Sequence, residues 1–338
     1  YWEGVRHIYA PFEADMRAGT ADVYHHEMPG GQYTNLREQA RSMGIEERWT
    51  EVSDAYAKVN LLFGDIVKVT PTSKVVGDMA LYMVSNNLNP QDIEDSELEI
   101  DFPESVVSLF KGELGIPVHG FPKELQNKVL KGAAPLNDRP GAVMPPADLA
   151  GKKAMLENMF GKLVTEQELA SYLMYPKVFA DFMQHEMKYG TVSSIPSSAF
   201  FYGLKEQSPV EIELERGKVL EIKLLGRSEA KDGVIDLFVE LNGQLRLVQI
   251  KQASQKGSTA HSKADPKNPK HIGASMPGMI STVPVKLGQS VRKGETLFTI
   301  EAMKMEIAIK ADQDCVVQEV LMGVGNQVKN MDLVLILN

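Results

Sequence analysis

The chain has 338 residues, of which 43% are hydrophobic and 24% charged, so it is long enough for two or three globular domains, each with its own core. Its 36 basic and 45 acidic side chains give a net charge of -9, which repels phosphate backbones and argues against a nucleic-acid partner. No apolar run approaches about eighteen residues, so we expect no membrane span within these residues.

The first 193 residues are predicted to be mainly helical. Apolar residues recur at helical spacing between Thr50 and Phe63, and a second helix is expected to begin near Ser73. The spacing from Thr165 to Glu168 is typical of a capping box, and Gly190 is placed to end the last helix of this region.

The hydrophobic period changes to two at about Pro209, which predicts strands. Asn242-Gly243 is a favoured type I′ hairpin turn and joins the last two of them. The expected strands of this four-stranded domain, which spans residues 194–253, are 209–215, 219–225, 234–241 and 245–251.

Residues 254–271 are rich in Ser, Lys, Gly, Asp and Pro and contain almost nothing to bury, so they are predicted to form a flexible linker. A coil of this length spans roughly 23 to 25 Å r.m.s.. Such a linker would keep the domain that follows it at an effective concentration of order mM near the active site that this domain serves.

A repeated segment flanks one lysine near the end of the chain. Residues 288–300 are echoed by residues 325–337, with glycine, valine and the terminal aliphatic residues at matching offsets. Two similar β units can therefore pack around one core, with Lys304 in the hairpin that joins them. A lysine between two methionines is alone more typical of a solvated surface position. The repeated segments on either side of Lys304 favour instead a lysine that carries a covalently attached group.

The Ala-Met-Lys-Met sequence around Lys304, with its duplicated frame, resembles the biotin carboxyl carrier and lipoyl-type domains. The resemblance covers residues 272–338 and implies a β-sandwich, or flattened barrel, of the biotinyl/lipoyl-like kind. It further implies that a biotin protein ligase attaches biotin covalently to Lys304, and that the attached ring carries CO2 between active sites.

The strings from His26 to Leu36 and from Gly64 to Asp78 resemble the carboxyltransferase region of the pyruvate carboxylase family, and Tyr175 to Phe179 also fits it. The resemblance implies a multidomain α+β chain. Its expected parts are the helical carboxyl-terminal part of a carboxyltransferase domain (1–193), an allosteric or tetramerisation β domain (194–253), a linker (254–271) and the carrier (272–338). The implied function is to move CO2 from carboxybiotin to pyruvate, giving oxaloacetate.

The residues around Pro71 form the predicted catalytic site. Proline pushes Thr70 out of the right-handed helical region, while Thr72 or Ser73 can cap the following helix, so hydroxyls and free amides converge there. By pattern alone, simple capping of a turn explains these hydroxyls as well. The resemblance implies instead that Thr70 shuttles a proton between pyruvate and biotin, while Ser73 and Lys74 bind the ureido oxygen.

A threonine hydroxyl is far too weak an acid to act as a free base near pH 7, so Thr70 is expected to act as a concerted relay. His25 and His26 are adjacent and would face opposite sides of a strand, which makes them a poor chelate and favours a structural role. No metal site is therefore predicted in this chain.

The resemblance implies that ATP with Mg and a divalent metal are bound by upstream domains. The chain begins at Tyr1 without an initiator methionine, so it is expected to be the carboxyl-terminal part of a longer enzyme and to be inactive alone. Expected partners of that enzyme are pyruvate, bicarbonate, acetyl-CoA as activator, and further copies in a homotetramer. Cys315 is the one cysteine, in an aliphatic stretch, which favours a buried thiol in a reducing compartment such as the cytoplasm.

Two other functions fit parts of the sequence. A biotin-dependent oxaloacetate decarboxylase or transcarboxylase subunit also joins a carboxyltransferase region to a carrier, commonly through an Ala/Pro-rich linker. The four predicted strands in that place favour the pyruvate carboxylase family. A non-catalytic biotin carrier and assembly module is the other alternative.

Overall fold

The computed structural model describes residues 1–13, 18–95, 97–228, 233–251, 262–266, 268–302 and 305–338. Contacts divide the chain into two compact units, residues 1–13 with 145–257 and residues 14–144 with 258–338. The second unit joins the earlier helices to the carrier. The two units do not coincide with the domain bounds expected from the sequence, which remain a prediction.

The helices lie in the first 202 residues. In the described residues they are α1 (Trp2–Tyr9), α2 (Val23–His26), α3 (Gly30–Ser42), α4 (Trp49–Leu62), α5 (Thr72–Ser85), α6 (Pro90–Glu94), α7 (Glu104–Lys111), α8 (Lys123–Leu130), α9 (Pro140–Val143), α10 (Leu149–Phe160), α11 (Glu166–Met174), α12 (Pro176–Tyr189) and α13 (Ser197–Tyr202). None of these helices is long and apolar enough to cross a membrane.

Helices α4 and α5 confirm the two helices predicted between Thr50 and Met83. One face of α4 is buried, including Val52, Tyr56 and Val59, as the spacing indicated. Helix α5 is buried continuously from Val75 to Val84, so it is the central helix of the second unit.

Helices α10 to α12 of the first unit enclose a separate apolar cluster. Its buried members are Leu156, Phe160, Val164, Leu169, Phe179 and Met183. The predicted capping box is confirmed, because the side chains of Thr165 and Glu168 each accept the other's backbone N–H. The Glu168 carboxylate accepts hydrogen bonds from Lys162 and from the Thr165 N–H, which lower its pKa to about 2. Gly190, with a φ of 74°, follows the last residue of α12, as predicted.

The strands follow the helices in the sequence. In the described residues they are β1 (Pro209–Glu215), β2 (Lys218–Arg227), β3 (Val234–Leu241), β4 (Gln244–Lys251), β5 (His271–Gly273), β6 (Gly278–Thr282), β7 (Ser290–Val291), β8 (Thr296–Ala302), β9 (Met305–Lys310), β10 (Cys315–Val320), β11 (Gln327–Val328) and β12 (Leu333–Leu337).

Strands β1 to β4 form the predicted four-stranded antiparallel sheet in sequential order. Asn242 and Gly243 both have positive φ, 47° and 78°, which the predicted type I′ turn requires. Strand β4 is exposed along its whole length.

The carrier contains two four-stranded sheets, ordered β5-β12-β10-β7 and β11-β6-β8-β9. The predicted duplication is visible in this arrangement, because β7 and β11 are corresponding edge strands, each with a buried valine, Val291 or Val328. Gly288 and Gly325 have φ values of 77° and 85°, so the two repeats begin with the same kind of turn. Cys315 is buried, as predicted, and burial raises the pKa of its thiol.

Gly278 permits the closest backbone approach in the carrier. A Cβ atom there would lie 2.6 Å from the carbonyl oxygen of Glu301 and 2.8 Å from Cγ2 of Ile300. Strands β6 and β8 pair next to this point, with Met279 opposite Glu301. Only glycine therefore fits without moving a strand that leads towards Lys304.

Part of the predicted flexible linker packs against the carrier. Lys263 forms an ion pair with Asp332 at 2.8 Å, and Ala264 is 6% exposed because it lies against Gly273. The segment was expected to contain almost nothing to bury, and Ala264 is an exception because glycine at 273 leaves room for its methyl group. Residues 254–261 and 267 of that linker lie outside the described residues.

The carrier also contacts the helices of the second unit. Buried apolar residues of the helices and the carrier form one continuous cluster, and β9 packs on α7. Asn330 Nδ2 donates to the carbonyl oxygen of Ser85, 3.2 Å away, at the carboxyl end of α5. Residue 70 precedes the opposite end of this helix, which is about 20 Å long for its 14 residues.

Candidate functional site

The two strings that carry the carboxyltransferase resemblance lie side by side at the start of α5. Lys68 Nζ donates to Glu27 Oε2 at 2.6 Å, and only 16% of the lysine side chain is exposed. This ion pair ties the segment before α3 to the loop before α5. The structure therefore brings together residues that are about forty positions apart in the sequence.

Gly77 brings helix α3 close to α5. A Cβ atom at this position would lie 2.4 Å from Nε2 of Gln32 and 2.9 Å from Cδ1 of Leu36. Gly77 has no positive φ, so glycine here leaves space for the ends of the Gln32 and Leu36 side chains and is not needed for backbone conformation. The amide of Gln32 is thereby held against α5, one residue before Asp78.

The loop from Gly64 to Pro71 is fixed by its own hydrogen bonds. Asn60 Nδ2 donates to Asp65 Oδ1 at 2.8 Å, and Asp65 has a φ of 53°, so the chain turns sharply after α4. The Thr72 hydroxyl lies 2.6 and 2.7 Å from the carbonyl oxygens of Val67 and Val69. These contacts hold the loop against the first turn of α5.

The prediction that Thr72 or Ser73 caps α5 is wrong. The N-cap residue is Pro71, and no side chain accepts a hydrogen bond from the first turn. The helix begins one residue earlier than the pattern indicated, so Thr72 is its first residue and its hydroxyl bonds backwards to the loop. The amide groups of the first turn bond to backbone carbonyl oxygens instead, Ser73 N–H to Val69 at 3.0 Å and Lys74 N–H to Pro71 at 3.1 Å.

Thr70 immediately precedes this helix and is exposed. Its peptide bond to Pro71 is cis. The structure gives the Thr70 hydroxyl no hydrogen-bond partner within the described part of the chain. The hydroxyl is therefore available to a bound molecule.

Ser73 lies on the inner side of the same turn and is 6% exposed. Its carbonyl oxygen accepts the Tyr56 hydroxyl at 3.3 Å, and burial raises the pKa of Tyr56, so this phenol stays protonated and remains a donor. The contact fixes the backbone of Ser73 from the side of α4.

Lys74 extends towards Asp78, one helical turn further on. The lysine side chain is 38% exposed, whereas the aspartate side chain has no exposed surface. Lys74 Nζ donates to Asp78 Oδ2, and the Ser105 hydroxyl of α7 donates to the same oxygen at 2.7 Å. Burial raises the pKa of Asp78, while Lys74 and Ser105 favour its ionised form. Sequence reasoning missed Asp78, although its spacing of four from Lys74 on a helix was a possible signal.

The predicted biotin-bearing residue, Lys304, lies outside the described residues. The strands on either side of it are described, and Ala302 of β8 pairs with Met305 of β9. Met305 is 2% exposed. These flanking strands are therefore paired antiparallel, as expected on either side of the biotin-bearing lysine of a biotinyl domain.

His25 and His26 end the short helix α2, not a strand as assumed for their geometry. His26 is buried, and its Nδ1 accepts the N–H of Met28 at 2.9 Å. Burial lowers the pKa of His26, which keeps the ring neutral and able to accept this bond. The structural role predicted for His26 is thus visible.

Comparison with known proteins gives two family matches. A model described as a conserved carboxylase domain matches residues 23–223, and one described as a biotin-requiring enzyme matches residues 270–337. The first covers the start of α5 and its neighbours, and the second covers the carrier.

Curated relatives match almost the whole chain. It is 46% identical to a pyruvate carboxylase of Staphylococcus aureus over 337 residues, which are 99% of this chain and 29% of that protein. It is 41% identical to the human mitochondrial pyruvate carboxylase, with the same two shares. The chain therefore spans about three tenths of the length of these relatives.

Solved structures agree with the sequence matches. A complete multifunctional pyruvate carboxylase from Rhizobium etli matches 99% of this chain and 31% of its own, with a TM-score of 0.66 and 46% identity. The carboxyl transferase domain of the Rhizobium etli protein, solved with pyruvate and biocytin, matches 75% of this chain and 43% of its own, with a TM-score of 0.69 and 49% identity.

Proposed function

Because the chain belongs to the conserved carboxylase domain family and carries a biotin-requiring domain, we propose that it forms the carboxyl-terminal part of a pyruvate carboxylase. One observation carries the proposal. The residues around the start of α5 include an exposed hydroxyl at Thr70, a buried serine at 73 and a cation at Lys74, in the region matched by the carboxylase model. A carrier domain follows on the same chain.

The residues of this chain would act on pyruvate as follows. The Thr70 hydroxyl accepts a proton from the methyl group of pyruvate and passes its own proton to a ring nitrogen of biotin in one concerted step. As that nitrogen gains the proton, its bond to CO2 would break, and the pyruvate enolate would capture the released CO2 and become oxaloacetate. Biotin supplies the ring nitrogen that brings the CO2 to this site.

Ser73 and Lys74 would bind the ureido oxygen of biotin. A cation and a hydroxyl donor at this oxygen stabilise the negative charge that develops on it during transfer. The dipole of α5 adds to this effect, because the amino terminus of a helix favours negative charge. Lys304 would present the biotin, fixed by the paired strands that flank it.

The other requirements of the reaction belong to the longer enzyme. We propose that ATP with Mg and a divalent metal bind to its other domains, that bicarbonate is its CO2 source, and that this chain alone is inactive. A biotin protein ligase, acetyl-CoA as activator and a homotetrameric assembly are proposed on the same basis. The cytoplasm is the proposed compartment, supported by the free, buried thiol of Cys315 and by the bacterial relatives.

The carrier role is tested first on the chain itself. After co-expression with a biotin protein ligase, mass spectrometry should find one added biotin, on Lys304. Lys304→Arg should abolish avidin binding, whereas Lys293→Arg, a change at an exposed lysine of the same domain, should leave it intact. Absence of biotin on Lys304 would reject the carrier role.

The relay role is tested in a full-length pyruvate carboxylase with this chain as its carboxyl-terminal part. Thr70→Ala should lower oxaloacetate formation at least about 100-fold, because a positioned proton relay contributes about that much. Biotin-dependent ATP cleavage should remain largely intact, since it does not use this hydroxyl. Thr50→Ala is the matched control, at an exposed threonine on α4. Unchanged carboxyl transfer in the Thr70 variant would reject the relay.

A further inference from the structure

Lys74 occupies an electrostatically unfavourable place. It is the third residue of α5, where the helix dipole presents partial positive charge, so a cation there is destabilised. A lysine that precedes its acidic partner by four residues is also the weaker orientation of such a pair on a helix. Something else must therefore hold the ammonium group at this position.

Asp78 holds it. The carboxylate has no exposed surface, and both of its donors, Lys74 and Ser105, bond to the same oxygen, Oδ2. Its other oxygen, Oδ1, is buried and has no hydrogen-bond partner within the described residues. This aspartate is thus anchored to α7 through Ser105 and directed towards a single cation.

Such an arrangement is poorly explained by stability alone. Burying a carboxylate with one unpartnered oxygen is costly, and a buried ion pair commonly stabilises a fold no better than apolar side chains of the same volume. The Lys74 side chain, by contrast, is 38% exposed, and Lys74 belongs to the first turn of α5, next to Ser73. The pair therefore connects a rigid, buried anchor to the place where a ligand would bind.

We propose that Asp78 is a positioning residue for carboxyl transfer, which holds the Lys74 ammonium group in a fixed orientation at the start of α5. The inference rests on the proposed function, because it acts through the binding of a ureido oxygen by Lys74. Asp78 itself touches no substrate. Its contribution is to fix the donor in place before the biotin arrives, which lowers the cost of binding the transition state.

The first test measures the contact and needs no activity. In the intact chain with carbon-13-labelled aspartate, NMR titration of the Asp78 carboxyl should show a higher pKa in Lys74→Met than in the unchanged protein. The reason is that the buried carboxylate loses its counter-ion while desolvation remains. An unchanged pKa of the Asp78 carboxyl in Lys74→Met would overturn the proposal, whatever the activity of the variants of the full-length enzyme.

The second test is a double-mutant cycle in the full-length enzyme. Asp78→Asn should lower kcat for carboxyl transfer about 10- to 100-fold, the scale of a misplaced catalytic group, with little change in KM for pyruvate. The same substitution should cause no further loss in a Lys74→Met background, because its effect passes through that lysine. Ser105→Ala, which removes the tie to α7 but keeps Lys74 on Asp78, should cost less than Asp78→Asn.

The outcomes separate this inference from the proposed function. Equal losses in the Asp78 and Ser105 variants, or additive losses in the double variant, would mean that Asp78 only joins two helices. Full activity of Asp78→Asn beside an impaired Lys74→Met would refute the positioning role alone. Full activity of Lys74→Met would refute the proposed role of the lysine, and the positioning role with it.

Discussion

Replacing Gly278 by alanine should destabilise the carrier. The added Cβ would lie 2.6 Å from the Glu301 carbonyl oxygen and 2.8 Å from Cγ2 of Ile300, against an ordinary contact of at least 3.4 Å. Strand β8 must therefore move away from β6 by the better part of an ångström. Such overpacking costs about 1 to 3 kcal/mol. In a domain of this size, each kcal/mol lowers the midpoint of thermal unfolding by roughly 4 to 8 °C.

Hydrogen exchange on the whole chain is the suitable assay, because it reports the strands of the carrier separately from the rest of the chain. Gly278→Ala should speed exchange of the protected amides in β6 and β8. Gly323→Ala is the matched control in the same domain, since its Cβ would meet nothing within 4 Å and its φ is not positive. If both variants exchange at the same rates, the close approach of β6 to β8 does not limit the carrier's stability.

Three more predictions concern the stability of the two units. The stability that Glu168 contributes should be lost as pH falls from about 4.5 towards 2, because its pKa is lowered in the folded state. Urea titrations at several pH values measure this loss, and Glu168→Gln should remove it. Leu156→Ala should lower the free energy of unfolding by about 2 to 5 kcal/mol in denaturant titrations, because this side chain is 0% exposed. Leu163→Ala, at a side chain that is 86% exposed, should change it by no more than about 0.5 kcal/mol. Asn330→Ala removes the donor to the Ser85 carbonyl and should weaken the packing of the carrier on α5 by about 1 kcal/mol; unchanged hydrogen exchange at the end of α5 would contradict this.

Elements whose burial requires a regular spacing of hydrophobic residues could be predicted from the sequence. Helices α4 and α5, the capping box at Thr165 and the sheet with its Asn242-Gly243 turn were all predicted, because each depends on neighbours within a few residues. The fold of the carrier was also predictable, because residues 325–337 repeat the pattern of residues 288–300.

Features that depend on distant residues were not predicted. Ser105 lies 27 residues beyond Asp78, so no local pattern marks the pair. The contact of Asn330 with Ser85 spans 245 residues, and the predicted linker gave no sign that Ala264 fits against Gly273. The capping role assigned to Thr72 failed because proline supplied the N-cap position and left the hydroxyl to the preceding loop.

The strand order of the carrier also fixes when its lysine can be modified during protein synthesis. The sheet that contains β8 and β9 is completed at its edge by β11, and the opposite sheet needs β12, which pairs with both β5 and β10. A nascent chain that has emerged only as far as the hairpin lacks these partners, so the hairpin has no folded support. A ligase that recognises only the folded domain would therefore act after β12 has emerged from the ribosome.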